Sequence, residues 1–317
     1  MYNWEVGKTV TQKVLAIVGP TAVGKSALAV ALAQEFAGQV ISGDSMQVYQ
    51  GLDIGTAKVT PQEMQGVPHY LIDTNQVDER FSVADFVQQS RKYIGQIAAQ
   101  AQLPIIAGGT GFYLQALFDN FQLGTDDYDA SEKERKQWQQ FLHIHGPKAL
   151  WDRLAQVDPQ AAAKIPVGNS RRVIRALEVY QKTGKLFSAQ QDQVSGEFDP
   201  LIIGLNAERS LVYDRINQRV DQMVAAGLVD EAHWLYERGG LSLPAGRGIG
   251  YKELYPYFAG EISLDEAVMT IKKNSRHYAK RQLTWFRNKM DVKWFNIVEH
   301  PAELAEIRQL INKWLKE

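Results

Sequence analysis

The sequence contains no cysteine, and this absence excludes several kinds of chemistry. Disulfide frameworks, zinc sites built from thiolates and cysteine nucleophiles all require a thiol group. A chain without thiols is also compatible with a reducing compartment, and we therefore expect a cytoplasmic protein.

Segments that would direct the chain into a membrane or out of the cell are also missing. No apolar run approaches the roughly 20 residues that a membrane-spanning helix needs, so we expect no membrane association. Met1–Glu5 shows no charged region followed by an apolar one, and no signal peptide is expected. The six histidines are scattered without the spacing of a metal site, and we expect them to be structural.

An excess of charge of either sign is absent as well. The chain has 35 Lys and Arg against 36 Asp and Glu, with a formal net charge of -1. Any nucleic-acid binding must therefore use local basic patches rather than the field of the whole molecule. With 317 residues, of which 45% are hydrophobic, the chain suits one large domain with an insertion, or two domains.

A complete phosphate-binding motif follows the first apolar run, Val14–Val18. Its two glycines allow a tight turn, and a helix predicted over Ala27–Phe36 directs its positive dipole end at the same place. Lys25 adds a positive charge, and Ser26 offers a hydroxyl to a magnesium ion. The motif predicts a bound ligand with two or three phosphates, without distinguishing ATP, GTP and another diphosphate. Its residues are Gly19, Pro20, Thr21, Ala22, Val23, Gly24, Lys25 and Ser26.

Acidic residues near two further predicted strands are candidate site residues. Asp44 follows the strand Gln39–Ser42, and ligands of open α/β sheets bind beyond the carboxyl ends of strands. The alternative role of Asp44 is to cap the next turn, and spacing alone does not separate the two. Asp73, at the end of a short strand predicted over Pro68–Asp73, is a weaker candidate for a magnesium ligand of the Walker-B kind.

Three glycine-rich stretches interrupt the predicted strands and helices. Gly51–Lys58 is polar and is predicted to be an exposed loop. Gly108–Gly111 follows the predicted strand Pro104–Ala107 and indicates either a close approach of the backbone to a ligand or tight packing. The third stretch is Gly246–Tyr251.

The alternation of strands and helices stops from about residue 122 to residue 200 and resumes with the strand Leu201–Leu205. We therefore predict an α/β fold, with a P-loop NTPase-like core of parallel strands flanked by helices, from 1–121 and 201–317. Residues 122–200 form a predicted helical insertion domain.

Within the predicted insertion, Asn169 caps a helix whose first turn is basic. Arginines at a helix start oppose the helix dipole, at a local cost of a few tenths of a kcal/mol. They indicate either a polyanion lying against them or a solvated charged face. The arginines are Arg171, Arg172 and Arg175, and the apolar face of the helix is Val173, Ile174, Leu177 and Tyr180.

Two basic helices are predicted in the last third of the chain. The first, about Ser210 to Ala226, places Arg215 and Arg219 on one face at a spacing of four residues. The second begins with the capping box Ser263-x-x-Glu266 and runs to about Arg287. Basic and aromatic side chains interleave along it, as RNA backbone and unstacked bases require. They are Lys273, Arg276, Lys280 and Arg287, with His277, Tyr278, Trp285 and Phe286.

Separate stretches, taken together, resemble the bacterial tRNA dimethylallyltransferases, also called tRNA isopentenyltransferases. They extend over nearly the whole chain, far beyond a generic phosphate-binding motif. No zinc-finger extension is recognisable at the C-terminus, so the chain is similar to the short bacterial form. The stretches are GPTAVGKS at 19–26, ISGDSMQVYQGLDIGTAK at 41–58, PHYLID at 68–73, FSVADF at 81–86, AGGTGFY at 107–113, SRRVIRALEVYQKTGK at 170–185, RINQRVDQM at 215–223, GIGYKE at 248–253 and AKRQLTWFR at 279–287.

The resemblance implies transfer of a dimethylallyl group from dimethylallyl diphosphate to N6 of the adenosine on the 3′ side of the tRNA anticodon. The diphosphate is then a leaving group held by the motif at 19–26, by Mg²⁺ on Ser26 and by Arg219, with the Thr21 hydroxyl at the bridging oxygen. Asp44 is then expected to accept a hydrogen bond or the proton from N6. The implied partners are the tRNA anticodon stem-loop and dimethylallyl diphosphate, and the expected state is a monomer. Residues expected to contact tRNA are Asp44, Ser45, Met46, Gln47, Thr110, Arg171, Arg172, Arg175, Arg276, Lys280 and Arg281.

Two other function classes remain open at this point. One is a P-loop kinase for a nucleotide or small molecule, in which Asp73 assists the magnesium ion. The other is an RNA-binding ATPase switch. A kinase would consume ATP without RNA, whereas a switch would release phosphate when RNA binds.

Overall fold

The computed structural model describes residues 11–121, 132–189 and 196–317. The predictions for Met1–Glu5, and the parts of the predicted insertion at 122–131 and 190–195, lie outside these ranges. The described residues divide into two compact units. The larger lies within Met1–Phe118 and Ser195–Glu317, and the smaller within Asp119–Val194.

Strands and helices alternate in the larger unit, and helices alone make up the described elements of the smaller one. In chain order the larger unit begins with β1 (Gln12–Val18), α1 (Lys25–Glu35), β2 (Gly38–Ser42), α2 (Pro61–Met64), β3 (His69–Tyr70), α3 (Val83–Ala99), β4 (Leu103–Gly108) and α4 (Gly111–Phe118). The smaller unit contains α5 (Glu132–Val157), α6 (Pro159–Lys164) and α7 (Ser170–Thr183). The larger unit continues with β5 (Phe198–Leu205), α8 (Arg209–Ala225), α9 (Leu228–Glu237), α10 (Tyr255–Phe258), α11 (Leu264–Lys289), β6 (Lys293–Phe295) and α12 (Glu303–Lys316).

The strands described above form one parallel sheet in the order β3-β2-β4-β1-β5-β6. Val14–Val18 of the central strand β1 are fully buried, as expected for a parallel sheet covered by helices on both faces. The predicted mixed α/β core is thus confirmed. Because β2, β4 and β1 are neighbours, the residues that follow their carboxyl ends meet at one edge of the sheet.

Two predicted strands differ in length from those in the structure. β5 begins at Phe198 rather than Leu201, because Phe198 to Pro200 continue the pairing with β1. β3 contains only His69 and Tyr70. Leu71 and Asp73 have φ values of 60° and 54°, so the chain leaves the extended conformation at once and Asp73 does not end a strand.

The long helices of the larger unit begin where their sequences indicate. In α11 the Ser263 side chain accepts a hydrogen bond from the Glu266 backbone N–H, and the Glu266 carboxylate accepts one from the Ser263 backbone N–H. The predicted capping box is therefore present, and the helix runs to Lys289. No helix of the described ranges combines the length and apolarity needed to cross a membrane.

The smaller unit has an apolar core of its own between α5, α6 and α7. α5 is interrupted at Gly146, whose φ of 79° is not helical. Asn169 caps α7 by accepting a hydrogen bond from the Arg172 backbone N–H, as predicted. Tyr180 is 41% exposed, so it is not on the buried face where the helical spacing placed it. The core residues include Leu150, Leu154, Ala161, Ile165, Val173 and Leu177.

Candidate active site

A cavity of about 290 Å³ lies where the residues after β2, β4 and β1 face α8 and α11. Its wall combines three kinds of surface: a phosphate-binding loop, a carboxylate and an apolar face. The loop contributes Thr21, Lys25 and Ser26, the turn after β2 contributes Asp44 to Gln47, and the apolar face consists of Ile216, Val220, Met223, Ile249 and Ile271. Arg219, Tyr278 and Gln282 also line the cavity, as do the glycines Gly108 and Gly109 at the end of β4.

The loop Gly19–Ser26 connects β1 to α1, as its sequence predicts. Gly19 has a φ of 140°, and a Cβ atom at this position would lie 2.3 Å from the carbonyl oxygen of Leu205. Gly24 has a φ of 91° and forms the N-cap of α1. Any residue with a side chain would be strained in these two conformations, so both positions favour glycine. The loop therefore turns sharply enough to present the N-terminus of α1 to an anion.

Two arginines of α8 and the lysine of the loop bond to the loop. The Arg219 Nη1 donates to the Thr21 hydroxyl at 3.1 Å, and the Arg215 Nε donates to the Ala22 carbonyl at 2.7 Å. The Lys25 Nζ donates to the Pro20 carbonyl at 2.7 Å. The face of α8 that carries both arginines therefore lies against the loop, and Arg219 reaches the cavity while Arg215 supports its wall.

Burial disfavours the ionised forms of the charged groups at this site. Burial, and to a smaller extent the charge of the neighbouring Arg219, lower the pKa of Lys25 to about 8, and Asp44 opposes this shift. Burial also lowers the pKa of Arg219. A bound anion would relieve both shifts, because its negative charge would favour the protonated lysine and the guanidinium.

Asp44 both caps a turn and lines the cavity, so the two roles considered from its spacing coexist. Its Oδ1 accepts a hydrogen bond from the Met46 backbone N–H at 2.8 Å. Burial raises the pKa of the Asp44 carboxyl, and the bond from Met46 and the charge of Lys25 partly offset this. Asp44 is therefore a stronger base than an ordinary carboxylate.

The predicted residues next to Asp44 make hydrogen bonds to neighbouring segments. The Ser45 backbone N–H donates to the Thr110 hydroxyl at 3.2 Å. The Gln47 side chain accepts from the Ser42 hydroxyl at 2.8 Å and donates to the Thr56 carbonyl at 3.2 Å. The structure thus brings the turn after β2 together with the turn after β4.

The basic residues predicted to contact tRNA do not line the cavity. Arg276 is half-buried and donates to the Asn217 Oδ1 at 2.6 Å. Lys280 is exposed, and the Arg281 guanidinium lies 5.6 Å from the ring centre of Tyr278, which does line the cavity. In the smaller unit, Arg171 and Arg172 are exposed, and the Arg175 Nη1 lies 3.9 Å from a carboxylate oxygen of Glu178.

Two residues of the site were missed by sequence reasoning. Gln282 is 5% exposed and bonds to the loop and to the turn after β4. The signal for it was a polar side chain on the buried face of α11, three residues after Ala279 and four before Phe286. Glu231 of α9 accepts hydrogen bonds from the backbone N–H groups of Asp53–Gly55 at 2.8 to 2.9 Å.

The bonds to Glu231 also correct the prediction that Gly51–Lys58 is an exposed loop. Leu52 is fully buried, and the Lys58 side chain is only 5% exposed. Thr56 and Ala57 line the cavity. Several polar groups of the segment are thus engaged in hydrogen bonds, while Gly51 and Asp53 remain exposed.

The residues that could hold a metal ion are few. Within 11–121, 132–189 and 196–317, no group of three or more His, Asp or Glu side chains could bind one. Ser26 lines the cavity, and a single hydroxyl fits Mg²⁺ because this ion commonly completes its shell with phosphate oxygens and water. The Asp73 carboxylate pairs with Lys58 and lies in the wall of a neighbouring cavity of about 530 Å³, which Ser26 and Arg219 also line.

Comparison with known proteins gives a consistent result. The family described as IPP transferase matches residues 47–289. The tRNA dimethylallyltransferase of Ligilactobacillus salivarius is 59% identical over 306 residues, which cover 96% of this chain and 100% of the relative. That of Limosilactobacillus reuteri is 58% identical, with 96% and 99% covered.

Solved structures are similar over the same extent. The crystal structure of a tRNA isopentenylpyrophosphate transferase from Bacillus halodurans has a TM-score of 0.73 at 48% identity, covering 96% of this chain and 97% of that one. A eukaryotic dimethylallyltransferase acting on tRNA has a TM-score of 0.80 at 29% identity, covering 96% and 80%.

Proposed function

This chain belongs to the IPP transferase family, and from that premise we propose that it transfers a dimethylallyl group from dimethylallyl diphosphate to tRNA. The acceptor is N6 of the adenosine on the 3′ side of the anticodon. The observation that carries the proposal is a single cavity that combines an anion-binding loop, a carboxylate and an apolar wall. These three surfaces suit a diphosphate, an attacking amine and a prenyl chain respectively.

The reaction is a displacement at C1 of the allyl group. The N6 nitrogen forms a bond to C1 while the bond from C1 to the bridging oxygen breaks, and the electron pair of that bond leaves with the diphosphate. An adenine amine is a weak base, so the nitrogen gains positive charge only as the new bond forms. Its proton then passes to a nearby base.

Lys25, Arg219 and the N-terminus of α1 stabilise the negative charge that develops on the leaving diphosphate. Preorganised donors directed at such a charge usually supply the largest catalytic effect. Arg219 already contacts the Thr21 hydroxyl, which suits a position of that hydroxyl near the bridging oxygen. Lys25 must exchange its bond to the Pro20 carbonyl for one to the diphosphate.

Asp44 accepts the proton of N6. Its carboxylate lines the same cavity, and burial raises its pKa toward the range in which a general base is effective. The target base has to leave the stack of the anticodon loop to reach this cavity, at a cost of a few kcal/mol.

A magnesium ion would be held by the Ser26 hydroxyl together with oxygens of the diphosphate. When bound, it would neutralise part of the diphosphate charge. This donor set fits Mg²⁺, since the ion retains waters and takes substrate phosphates as ligands.

Basic side chains contact the tRNA anticodon stem-loop. Arg171, Arg172 and Arg175 of α7 would contact phosphates, as would Lys280 and Arg281 of α11. Arg276 would act more indirectly because it is bonded to Asn217. We propose that the protein acts as a monomer, and tRNA as the substrate supports a cytoplasmic location.

The test is to incubate the protein with dimethylallyl diphosphate, Mg²⁺ and an anticodon stem-loop, and to identify the modified nucleoside by mass spectrometry. We expect N6-dimethylallyl adenosine at the position 3′ of the anticodon, and no product when that adenosine is replaced by guanosine. Phosphorylation of a small molecule, or ATP hydrolysis stimulated by RNA without any prenyl transfer, would refute the proposal.

A further inference from the structure

One buried amide connects two loops of the site that follow different strands. Gln282 of α11 accepts a hydrogen bond at its Oε1 from the Thr21 backbone N–H, with an N-to-O distance of 3.1 Å. Its Nε2 donates to the Gly109 carbonyl at 3.0 Å. The side chain is 5% exposed, so both bonds form away from bulk solvent.

Each of the two loops also bonds to a group at one end of the cavity. Thr21 accepts from Arg219 at the end where the diphosphate leaves. Gly109 precedes Thr110, whose hydroxyl accepts from the Ser45 backbone N–H next to Asp44. Gln282 therefore lies between the group that grips the diphosphate and the turn that carries the base.

The backbone at Gly109 leaves little free space around the Gln282 amide. A Cβ atom at position 109 would lie 2.0 Å from the Gln282 Nε2, so only a glycine there allows the contact. The amide also has one orientation, because the backbone N–H of Thr21 requires an oxygen and the carbonyl of Gly109 requires a donor. A glutamate has the same length, but in its ionised form it cannot make both bonds because a carboxylate only accepts hydrogen bonds.

On the basis of the proposed function, we propose that Gln282 is a positioning residue that sets the separation between the leaving-group end of the site, at Thr21 and Arg219, and the base, Asp44. Displacement at C1 requires the amine and the diphosphate to lie on opposite sides of the carbon. An error of about 1 Å in such an arrangement can cost about 100-fold in rate. Because the separation matters most when both bonds are partly formed, its loss lowers kcat more than it raises either KM.

The experiment compares Gln282→Met with the matched control Gln39→Met. Gln39 of β2 is also 5% exposed and bonds to Gln100 and Tyr70, but it lies at the opposite end of its strand from Asp44. We expect Gln282→Met to lower kcat by at least about tenfold, while each KM changes by less than about threefold. Gln39→Met should lower the melting temperature and leave kcat within about twofold of wild type.

A double-mutant comparison with Arg219 distinguishes a positioning role of Gln282 from a general loss of order in the site. If Gln282 acts through Thr21 on Arg219, the effect of Arg219→Lys on kcat should be several-fold smaller in the Gln282→Met background than in wild type. Independent effects would multiply instead. A Gln282→Met enzyme with normal kcat, or effects that multiply, would overturn the inference, whereas a wild-type protein without prenyl transfer would refute the proposed function.

Gln282→Glu tests the same point with a side chain of nearly the same shape, and it remains informative if the methionine variant does not fold. Its ionised form accepts from Thr21 but cannot donate to Gly109, whereas its protonated form can do both. The ratio of its kcat to that of wild type should therefore be well below one at pH 8 and should rise as the pH falls through the pKa of the introduced carboxyl. Asp44, Lys25, Arg219 and Tyr278 line the same cavity, with Arg281 beside Tyr278, so the pH profile of the wild type is measured in parallel to show their own contribution. A ratio close to one at pH 8 would contradict the inference.

Discussion

Arg215 and Arg219 lie one turn apart on α8 and contact different parts of the same loop. Arg215 bonds to the Ala22 carbonyl, and Arg219 bonds to the Thr21 hydroxyl inside the cavity. The spacing of the two arginines in the sequence indicates a shared face, but it does not say which of them reaches the ligand. That difference depends on where the loop lies relative to α8.

Arg219→Lys should raise the KM for dimethylallyl diphosphate and lower kcat, because a lysine cannot grip two diphosphate oxygens at once as a guanidinium does. tRNA affinity should stay within about threefold, since Arg219 is at the diphosphate end. Arg215→Lys should be milder because one donor suffices for the Ala22 carbonyl. Steady-state kinetics with each substrate varied would check this, and an Arg215→Lys variant worse than Arg219→Lys would reverse the assignment.

Asp44→Ala should depress kcat by at least about 100-fold while tRNA affinity changes little, because proton acceptance matters mainly in the transition state. The ionised carboxylate is the active form, and burial raises its pKa. Activity of the wild type should therefore fall on the acid side at a higher pH than for an ordinary aspartate, and this acid limb should be absent in the variant. Normal single-turnover chemistry combined with lost tRNA binding would make Asp44 a recognition residue instead.

The titration of Lys25 should set the alkaline limit of kcat/KM for the free enzyme. Its pKa is lowered to about 8, and the protonated form is the one that stabilises the diphosphate. The kcat/KM for dimethylallyl diphosphate should therefore decline above about pH 8, whereas Lys25→Arg should move that decline to higher pH because a guanidinium stays protonated. An unchanged alkaline limb in Lys25→Arg would assign the limb to another group.

Among the secondary-structure elements, α9 and the segment Gly51–Lys58 illustrate what local sequence cannot reveal. The polar composition of the segment predicts an exposed loop, yet Glu231 holds three of its backbone N–H groups and the Tyr251 hydroxyl. The carboxylate lies 178 residues beyond Asp53 in the chain. By contrast, the Gly19–Ser26 loop and the start of α11 depend on short-range signals, and both were predicted correctly.

Glu231→Gln should loosen this segment and destabilise the protein by about 2 kcal/mol, because hydrogen bonds to a charged acceptor are replaced by weaker or missing ones. Since Thr56 and Ala57 line the cavity, the KM values should also rise. The control is Glu237→Gln on the same helix, where the side chain is 62% exposed and little effect is expected. Chemical denaturation and kinetics measure both effects. Equal destabilisation by the two variants would argue against this role of Glu231.

For the molecule as a whole, a net charge of -1 means that tRNA must be bound by local groups. We propose that the exposed arginines at the start of α7 are such groups, in a unit with its own core. Sequence reasoning identified these arginines but left open whether they face an anion or solvent. Arg175 has a carboxylate of Glu178 nearby, so Arg171 and Arg172 are the more informative pair.

Arg171→Ala and Arg172→Ala should each weaken tRNA binding and reduce the slope of log K against log salt by roughly 0.7 to 0.9, the value for one phosphate contact. The KM for dimethylallyl diphosphate should not change. Lys92→Ala, which removes an exposed cation from α3, is the control for a change of net charge alone. Salt slopes equal to that of the wild type would make the two arginines a solvated helix face.

The stoichiometry of one reaction tests most directly whether the Gly19–Ser26 loop serves a prenyl diphosphate rather than a nucleotide. With labelled dimethylallyl diphosphate, tRNA and Mg²⁺, and with ATP either present or omitted, we expect one diphosphate released per adenosine modified. ATP should not be consumed, and Lys25→Ala should lower kcat/KM by about 100-fold or more. Consumption of ATP in proportion to product, or normal transfer by Lys25→Ala, would contradict this role of the loop.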